Sequence, residues 1–175
     1  MFGAKGLDNS GECGIIKAGS DKVTISSIES PIEQKHTGKG NPNAILMFDV
    51  ELNKRQKSLL DRLPSYDSRI IVSKRSVNMA DLSALTAITG DEFAMFTNGN
   101  DRLVIRGNSI KVNIDTVQAN EFSKAGYKWS GHTHPGANIS CMLPSDGDKA
   151  ILNCFSQNTS VIYNSKGQFA TFGKE

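Results

Sequence analysis

The residues best suited to chemistry lie close together in the C-terminal part of the sequence. Two imidazoles, His132 and His134, are two positions apart, and Ser145 and Asp148 follow with a spacing of three. Residues 127–130 are typical of a strand, and positions i and i+2 of a strand face the same side. We therefore expect both histidines to point at one metal ion, with Asp148 as a third ligand from another element. Such a set leaves a fourth position for water, as in a catalytic zinc site.

Hydrophobic periodicity and turn residues predict the elements that position these side chains. A helix over residues 146–156 would begin beside Ser145 and carry Asp148 in its first turn. The order of elements from residue 70 predicts an α/β fold with a mixed β-sheet flanked by helices. The predicted strands are 70–72, 92–97, 102–106, 110–114, 127–134, 161–163 and 169–172, and the predicted helices are 78–89, 116–125 and 146–156.

The N-terminal part of the chain has a different character. Residues 1–43 are rich in Gly, Ser, Asn and Lys, with one short candidate strand at 22–25. A predicted strand at 44–50 and a predicted helix at 52–63 follow, and Pro64 ends the helix. We therefore divide the chain into an N-terminal connector with an accessory strand–helix segment, 1–69, and a main domain, 70–175.

Composition narrows the classes of function. The 175 residues carry a net charge of +2, which is too small to indicate binding to nucleic acid or to a membrane surface. The longest apolar runs are too short to cross a bilayer, and no secretory signal is visible. The three cysteines are an odd number without ligand spacing, so we expect a reducing compartment such as the cytoplasm.

The chemical residues together resemble a known motif. They match the JAMM motif of the MPN-plus metallopeptidases, whose members include deubiquitinating isopeptidases and prokaryotic enzymes that trim ubiquitin-like or sulfur-carrier proteins. The resemblance spans about residues 70–172 and implies the three-layer architecture shared by JAMM and cytidine-deaminase-like proteins. The matching pieces are a distant glutamate, Glu92, then His-Thr-His-Pro at 132–135, then Ser-x-x-Asp at 145–148.

The resemblance implies a role for each side chain. His132, His134 and Asp148 match the zinc ligands, while Glu92 matches the general base and Ser145 the residue that stabilises the oxyanion. Elementary chemistry agrees, because zinc lowers the pKa of a bound water to about 7. A carboxylate beside that water can take its proton and pass it to a leaving amine. The implied substrate is a protein or peptide, with a ubiquitin-like protein as one candidate.

Several alternatives stay open at the level of sequence. Glu121 and Asp91 are rival candidates for the base, and Asp146 is the rival of Asp148. Ser145 and Asp148 also fit a helix capping box, which would fix Asp148 near the helix start without excluding metal binding.

The segment between the two halves of the motif, 136–144, is longer than is usual in the family. We expect a loop there that reshapes a substrate groove more than the metal site. Cys141 lies in this segment. It is not expected to be a ligand, since three are already provided.

Two softer resemblances concern the context of the domain. Residues 145–173 are similar to JAMM-type domains at the C-termini of bacterial polymorphic toxins, and residues 30–42 are similar to material in phage or prophage head-associated proteins. They imply an effector or processing domain in the bacterial cytoplasm, or one delivered as part of a larger protein. A toxin would have an immunity protein as a partner. The alternative is a non-catalytic MPN-type binding module of a phage head-associated protein.

Overall fold

The computed structural model describes residues 50–174. The predicted strand at 22–25 and all but the last residue of the one at 44–50 lie outside this range. The described elements are α1 (Lys54–Asp61), β1 (Arg69–Ser73), α2 (Met79–Thr89), β2 (Phe93–Asn98), β3 (Asp101–Arg106), α3 (Thr116–Lys124), β4 (Lys128–Thr133), α4 (Asp146–Cys154), β5 (Thr159–Tyr163) and β6 (Phe169–Gly173), with short 3-10 helices at Lys74–Ser76 and Ile139–Met142.

The strands form one mixed sheet in the order β1-β3-β2-β4-β5-β6. Every neighbouring pair is antiparallel except β4 and β5, which run parallel with His132 opposite Ile162. A parallel pair needs a crossover connection, and α4 supplies it. This crossover places the start of α4 beside the end of β4, because the chain leaves β4 there.

Alternating residues of β2 show that helices cover both faces of the sheet. Phe93 and Met95 belong to a core cluster with Leu59 and Leu60 of α1 and with Leu82 and Leu85 of α2. Ala94 and Phe96 belong to a second cluster, with Ala119 of α3 and Leu152 of α4. The predicted α/β class, a mixed sheet flanked by helices, is confirmed. Helix α1, which the sequence places in the N-terminal segment, packs against α2.

The four α-helices within residues 50–174 begin in the same way. Each has a capping box, in which the N-cap side chain and the third helical residue bond to each other's backbone N–H groups; the N-caps are Asn53, Asn78, Asp115 and Ser145. Helix α2 is capped at its C-terminus by Gly90, whose φ of 69° suits glycine. The helices have 8 to 11 residues, and none within 50–174 could span a membrane.

The strand predicted at 110–114 is wrong. The backbone there turns, because the Asn108 side chain accepts hydrogen bonds from the N–H groups of Ile110 and Lys111. Val112 and Ile114 still pack against the second core cluster. The partial burial of these two side chains explains why apolar and polar residues alternate in the sequence. Residues 110–114 nevertheless pair with no strand of the described sheet.

Candidate metal centre

The two histidines lie at the C-terminal end of β4. His132 is in the strand, and His134 follows it, with its backbone N–H donating to the Tyr163 carbonyl of β5 at 2.9 Å. Thr133 between them points to the opposite face, where its hydroxyl accepts the backbone N–H of Phe93 at 2.8 Å and lies 2.5 Å from the Thr86 hydroxyl. The strand period therefore brings both imidazoles to one side, as predicted.

His132, His134 and Asp148 form a cluster that can hold a metal ion. Their ligand atoms all lie within 4.8 Å of one another, and within the described residues these three are the only such group. The two Nε2 atoms are 2.9 Å apart, and His132 Nε2 is 3.1 Å from Asp148 Oδ1. The structure thus brings together the three side chains that the sequence selects as ligands.

The proton on His134 is fixed by its surroundings. Nδ1 lies 2.6 Å from the Cys141 carbonyl oxygen. A carbonyl can only accept, so Nδ1 carries the proton and Nε2 keeps a free lone pair. Burial and the neighbouring His132 lower the pKa of His134 to about 4, although Asp148 and the carbonyl act in the other direction. His134 is therefore neutral at physiological pH, which is the form that binds metals.

Asp148 is held by the start of its own helix. One oxygen, Oδ2, accepts hydrogen bonds at 2.8 Å from both the backbone N–H and the hydroxyl of Ser145. The other oxygen, Oδ1, faces His132. Burial raises the pKa of Asp148, but the imidazoles of His132 and His134 and the bond from Ser145 outweigh it and hold the pKa far below its usual range. Asp148 is therefore ionised and pre-oriented, as a candidate metal ligand should be.

Glu92 is brought to the site by strand pairing. It directly precedes β2, in which Ala94 pairs with His132, and extending that antiparallel register by two residues places Glu92 opposite His134. Its Oε1 lies 3.8 Å from His134 Nε2, and the side chain is 8 % exposed. Burial, then the negative charges of Asp148 and Asp91, raise the pKa of Glu92 well above its ordinary value. Glu92 is thus an acid beside the cluster rather than part of it.

The other candidate residues stand apart from the cluster. Asp91 is fully buried and forms an ion pair with Arg106, while Asp146 and Glu121 are exposed. Cys141 is buried and contributes its carbonyl. The predicted loop 136–144 contains the 3-10 helix Ile139–Met142, which brings that carbonyl to His134.

Two supporting residues were not anticipated from the sequence. Thr133 connects β4 to the start of β2 through its hydrogen bond with Phe93. Strand alternation could have predicted its orientation, because the residue between two histidines on one side must face the opposite side. The Arg106 partner of Asp91 gave no sequence signal, since the two are 15 positions apart on different elements.

No protein-family model matches the chain, and comparisons with curated proteins and with solved structures gave no match.

Proposed function

We propose that this protein is a zinc-dependent hydrolase of the JAMM type, which cleaves a peptide or isopeptide bond in a protein substrate. The observation that carries the proposal is the placement of Glu92, a buried carboxyl group 3.8 Å from one member of a His-His-Asp cluster. A purely structural metal site is closed by protein ligands, whereas three ligands with an acid beside them suit hydrolysis.

The donor set fits zinc. Ligands about 2.0–2.1 Å from a tetrahedral zinc ion are roughly 3.3 Å apart. The separations of 2.9 and 3.1 Å at this cluster are slightly below that value, and the 3.8 Å between His134 Nε2 and Asp148 Oδ2 is slightly above it. His134 also donates its second ring N–H to a backbone carbonyl, as metal-bound histidines usually do. His132, His134 and Asp148 would hold the ion.

The chemistry then divides between the ion and the protein. Bound zinc supplies Lewis acidity, which brings the pKa of water to about 7. Glu92 takes a proton from the attacking water and delivers it to the leaving amine. A nearby divalent cation lowers the pKa of a carboxyl group, which offsets the rise caused by burial and returns Glu92 to the range of a general base.

Ser145 would stabilise the oxyanion that forms on the substrate carbonyl. It is exposed at the edge of the cluster, and its hydroxyl donates to Asp148. Turning that hydroxyl toward the substrate would supply one oxyanion donor, typically worth about 3 kcal/mol.

A protein substrate is favoured by the surface beside the site. The segment between His134 and Ser145 carries two large apolar side chains, Ile139 and Leu143, which are 81 % and 66 % exposed. Exposed apolar side chains next to a reactive centre are typical of peptide recognition.

The first experiment tests metal binding. We expect one zinc ion per chain in protein expressed with zinc, measured by elemental analysis. Asp148→Asn should lower zinc affinity by more than the 10–100-fold typical of a lost outer-shell partner. Asp146→Asn, in the same helical turn but exposed, is the matched control and should bind zinc normally. Equal affinity of all three proteins would refute the ligand assignment.

The second experiment separates binding from catalysis. The probes are a library of proteome-derived peptides and Lys-linked di-ubiquitin, with new termini detected by mass spectrometry. Glu92→Gln should keep its zinc and lose cleavage by at least the 10²–10⁴-fold typical of general acid–base catalysis. Zinc-loaded wild-type protein that cleaves neither probe would instead favour the non-catalytic binding module.

A further inference from the structure

Three buried polar atoms near the cluster lack a hydrogen-bond partner within the described part of the protein: His132 Nδ1, Trp129 Nε1 and Ser160 Oγ. The three side chains are at most 5 % exposed. Buried polar groups are almost always satisfied, by protein or by ordered water, because leaving one unpaired costs about 1–3 kcal/mol. Three such atoms in one region therefore require an explanation.

The three side chains lie on the same face of the sheet. A bulge makes Ser130 the extra residue of β4, so that Trp129 and His132, although three positions apart, face the same side. Their rings stack, with centroids 5.1 Å apart. Both rings also contact Phe172, at 5.8 and 6.0 Å.

Ser160 reaches the same place from β5. It pairs directly with Phe172 of β6, so the two side chains share a face. It is also two residues before Ile162, which is the β5 partner of His132. Ser160 therefore lies beside Phe172 on the face that carries the His132 and Trp129 rings.

The hydrogen-bonding capacities of the three atoms are complementary. With its Nε2 on a metal, a neutral His132 must carry its proton on Nδ1, which is then a donor. Trp129 Nε1 is a donor only, whereas the Ser160 hydroxyl can donate or accept. His134 already has its acceptor in the Cys141 carbonyl. His132 is thus the one histidine of the cluster whose outer partner remains to be assigned.

We propose that Ser160 is a positioning residue for the metal centre, acting with Trp129 through one buried water molecule that accepts the Nδ1–H of His132. The water would also accept the indole N–H and donate to the Ser160 hydroxyl, giving it the three partners typical of buried water. This network fixes the tautomer and ring orientation of His132. The inference rests on the metal-binding part of the proposed function and is independent of cleavage.

The test compares Ser160→Thr with Ser160→Val by zinc titration against a competing chelator. Threonine and valine have nearly the same shape and differ in the hydroxyl group. Threonine keeps the hydroxyl and should retain most of the zinc affinity. Valine removes it and should weaken binding by the 10–100-fold typical of lost outer-shell partners. Thr159→Val, the same chemical change at an exposed neighbouring position of β5, is the control and should leave affinity unchanged.

A second readout detects the network itself. The chain has one tryptophan, so its indole N–H gives a single NMR signal. We expect magnetisation transfer from a long-lived water to this signal in wild-type protein and its loss in Ser160→Val. If that variant does not fold, Ser160→Ala, which only removes an atom, carries the same expectations.

Each outcome is decisive. Equal losses of affinity in the threonine and valine variants, or no loss in valine, would overturn the positioning role while leaving the hydrolase proposal intact. Wild-type protein that binds no zinc would overturn both. A Thr–Val difference in a protein that cleaves nothing would leave the positioning role standing and remove the hydrolase proposal.

Discussion

Glu92 places a carboxyl group in a nearly buried position, close to the charges of Asp148 and Asp91. Its carboxylate form is costly there unless a cation balances the charge. A metal ion on the neighbouring cluster would supply that balance. The ionised Glu92 side chain should therefore destabilise the metal-free protein, whereas in the metal-bound protein Glu92 is the candidate general base.

The cost of ionising Glu92 predicts that the free energy of unfolding of the metal-free protein depends on pH. Glu92 has a raised pKa when folded and an ordinary one, near 4.5, when unfolded. Between these values the folded state holds a proton that unfolding releases, so its contribution to stability is full below pH 4.5 and is lost as pH rises. The free energy of unfolding of wild type, relative to Glu92→Gln, should fall with a slope of up to about 1.4 kcal/mol per pH unit.

The measurement is urea denaturation of both proteins in EDTA at several pH values from 5 to 8. The glutamine variant has no titrating group at this position and should become the more stable of the two as pH rises. Parallel stability curves across the range would show that the folded environment does not disfavour the Glu92 carboxylate.

At the scale of elements, α4 begins with a capping box that also orients Asp148, a candidate metal ligand. The Ser145 hydroxyl accepts the Asp148 backbone N–H at 3.1 Å and donates to the Asp148 carboxylate. Helix initiation and ligand orientation therefore depend on one pair of side chains.

This double role predicts a specific mutational signature. Ser145→Ala should lower the free energy of unfolding by about 1 kcal/mol through loss of the cap, and it should also weaken zinc binding because Asp148 loses a donor. Asn53→Ala removes the corresponding cap of α1 and should cost similar stability without affecting zinc. Thermal denaturation and zinc titration of both variants check this. Equal zinc affinities would contradict the double role.

The bulge in β4 requires a glycine at position 131. Gly131 has φ of 144°, and a Cβ there would lie 2.7 Å from the Val161 side chain and 2.9 Å from its carbonyl oxygen. Gly131→Ala should therefore destabilise the fold by at least the 1–3 kcal/mol of a strained backbone. In Gly147→Ala the added Cβ meets only Ser145 Oγ at 3.5 Å, so this variant should be neutral or slightly stabilising. Denaturant unfolding of the two would show whether the glycine of the bulge is needed.

The sequence predicts this site well where chemistry is local. His132 and His134 converge because strand alternation holds between them, and Asp148 joins them because it lies in the first turn of the helix that follows β4. Glu92 needed the family resemblance, since its approach depends on pairing between β2 and β4. The hydrogen bond from His134 to the Cys141 carbonyl could not be predicted from the sequence, because every residue has a backbone carbonyl.

The fold was predictable for a related reason. Helix limits followed caps and glycines, so α2 and α3 appear within a residue or two of their predicted ends. The segment at 110–114 was mistaken for a strand because burial of Val112 and Ile114 mimics strand alternation. Periodicity reports which side chains are buried, not whether the backbone finds a partner strand.

At the scale of the whole molecule, Arg106 connects distant parts of the fold. It is fully buried, and its guanidinium donates to Asp91 before β2 at 2.9 Å and to the Leu63 carbonyl after α1 at 2.6 Å. Arg106 therefore joins the segment after α1 to the segment before β2, which contains Glu92.

A buried pair of this kind predicts strong coupling. Arg106→Met should destabilise the protein by about 3–5 kcal/mol, because Asp91 is left charged and buried. Adding Asp91→Asn should recover much of that loss. The half-exposed pair of Arg69 and Asp67 is the control, and Arg69→Met should cost less than about 1 kcal/mol. A double-mutant cycle by urea unfolding gives the coupling, and additive losses for Arg106 and Asp91 would show that the pair acts as two independent groups.

Within the described residues, the connection from β4 to α4 places all three candidate metal ligands at 132–148, whereas Glu92 comes from the segment just before β2. Over evolutionary time these two contributions can be inherited independently. If the proposed roles hold, one codon change at position 92 would remove the proposed base and leave the candidate metal ligands in place. Under the proposed function, metal binding and proton transfer can therefore change separately in this fold.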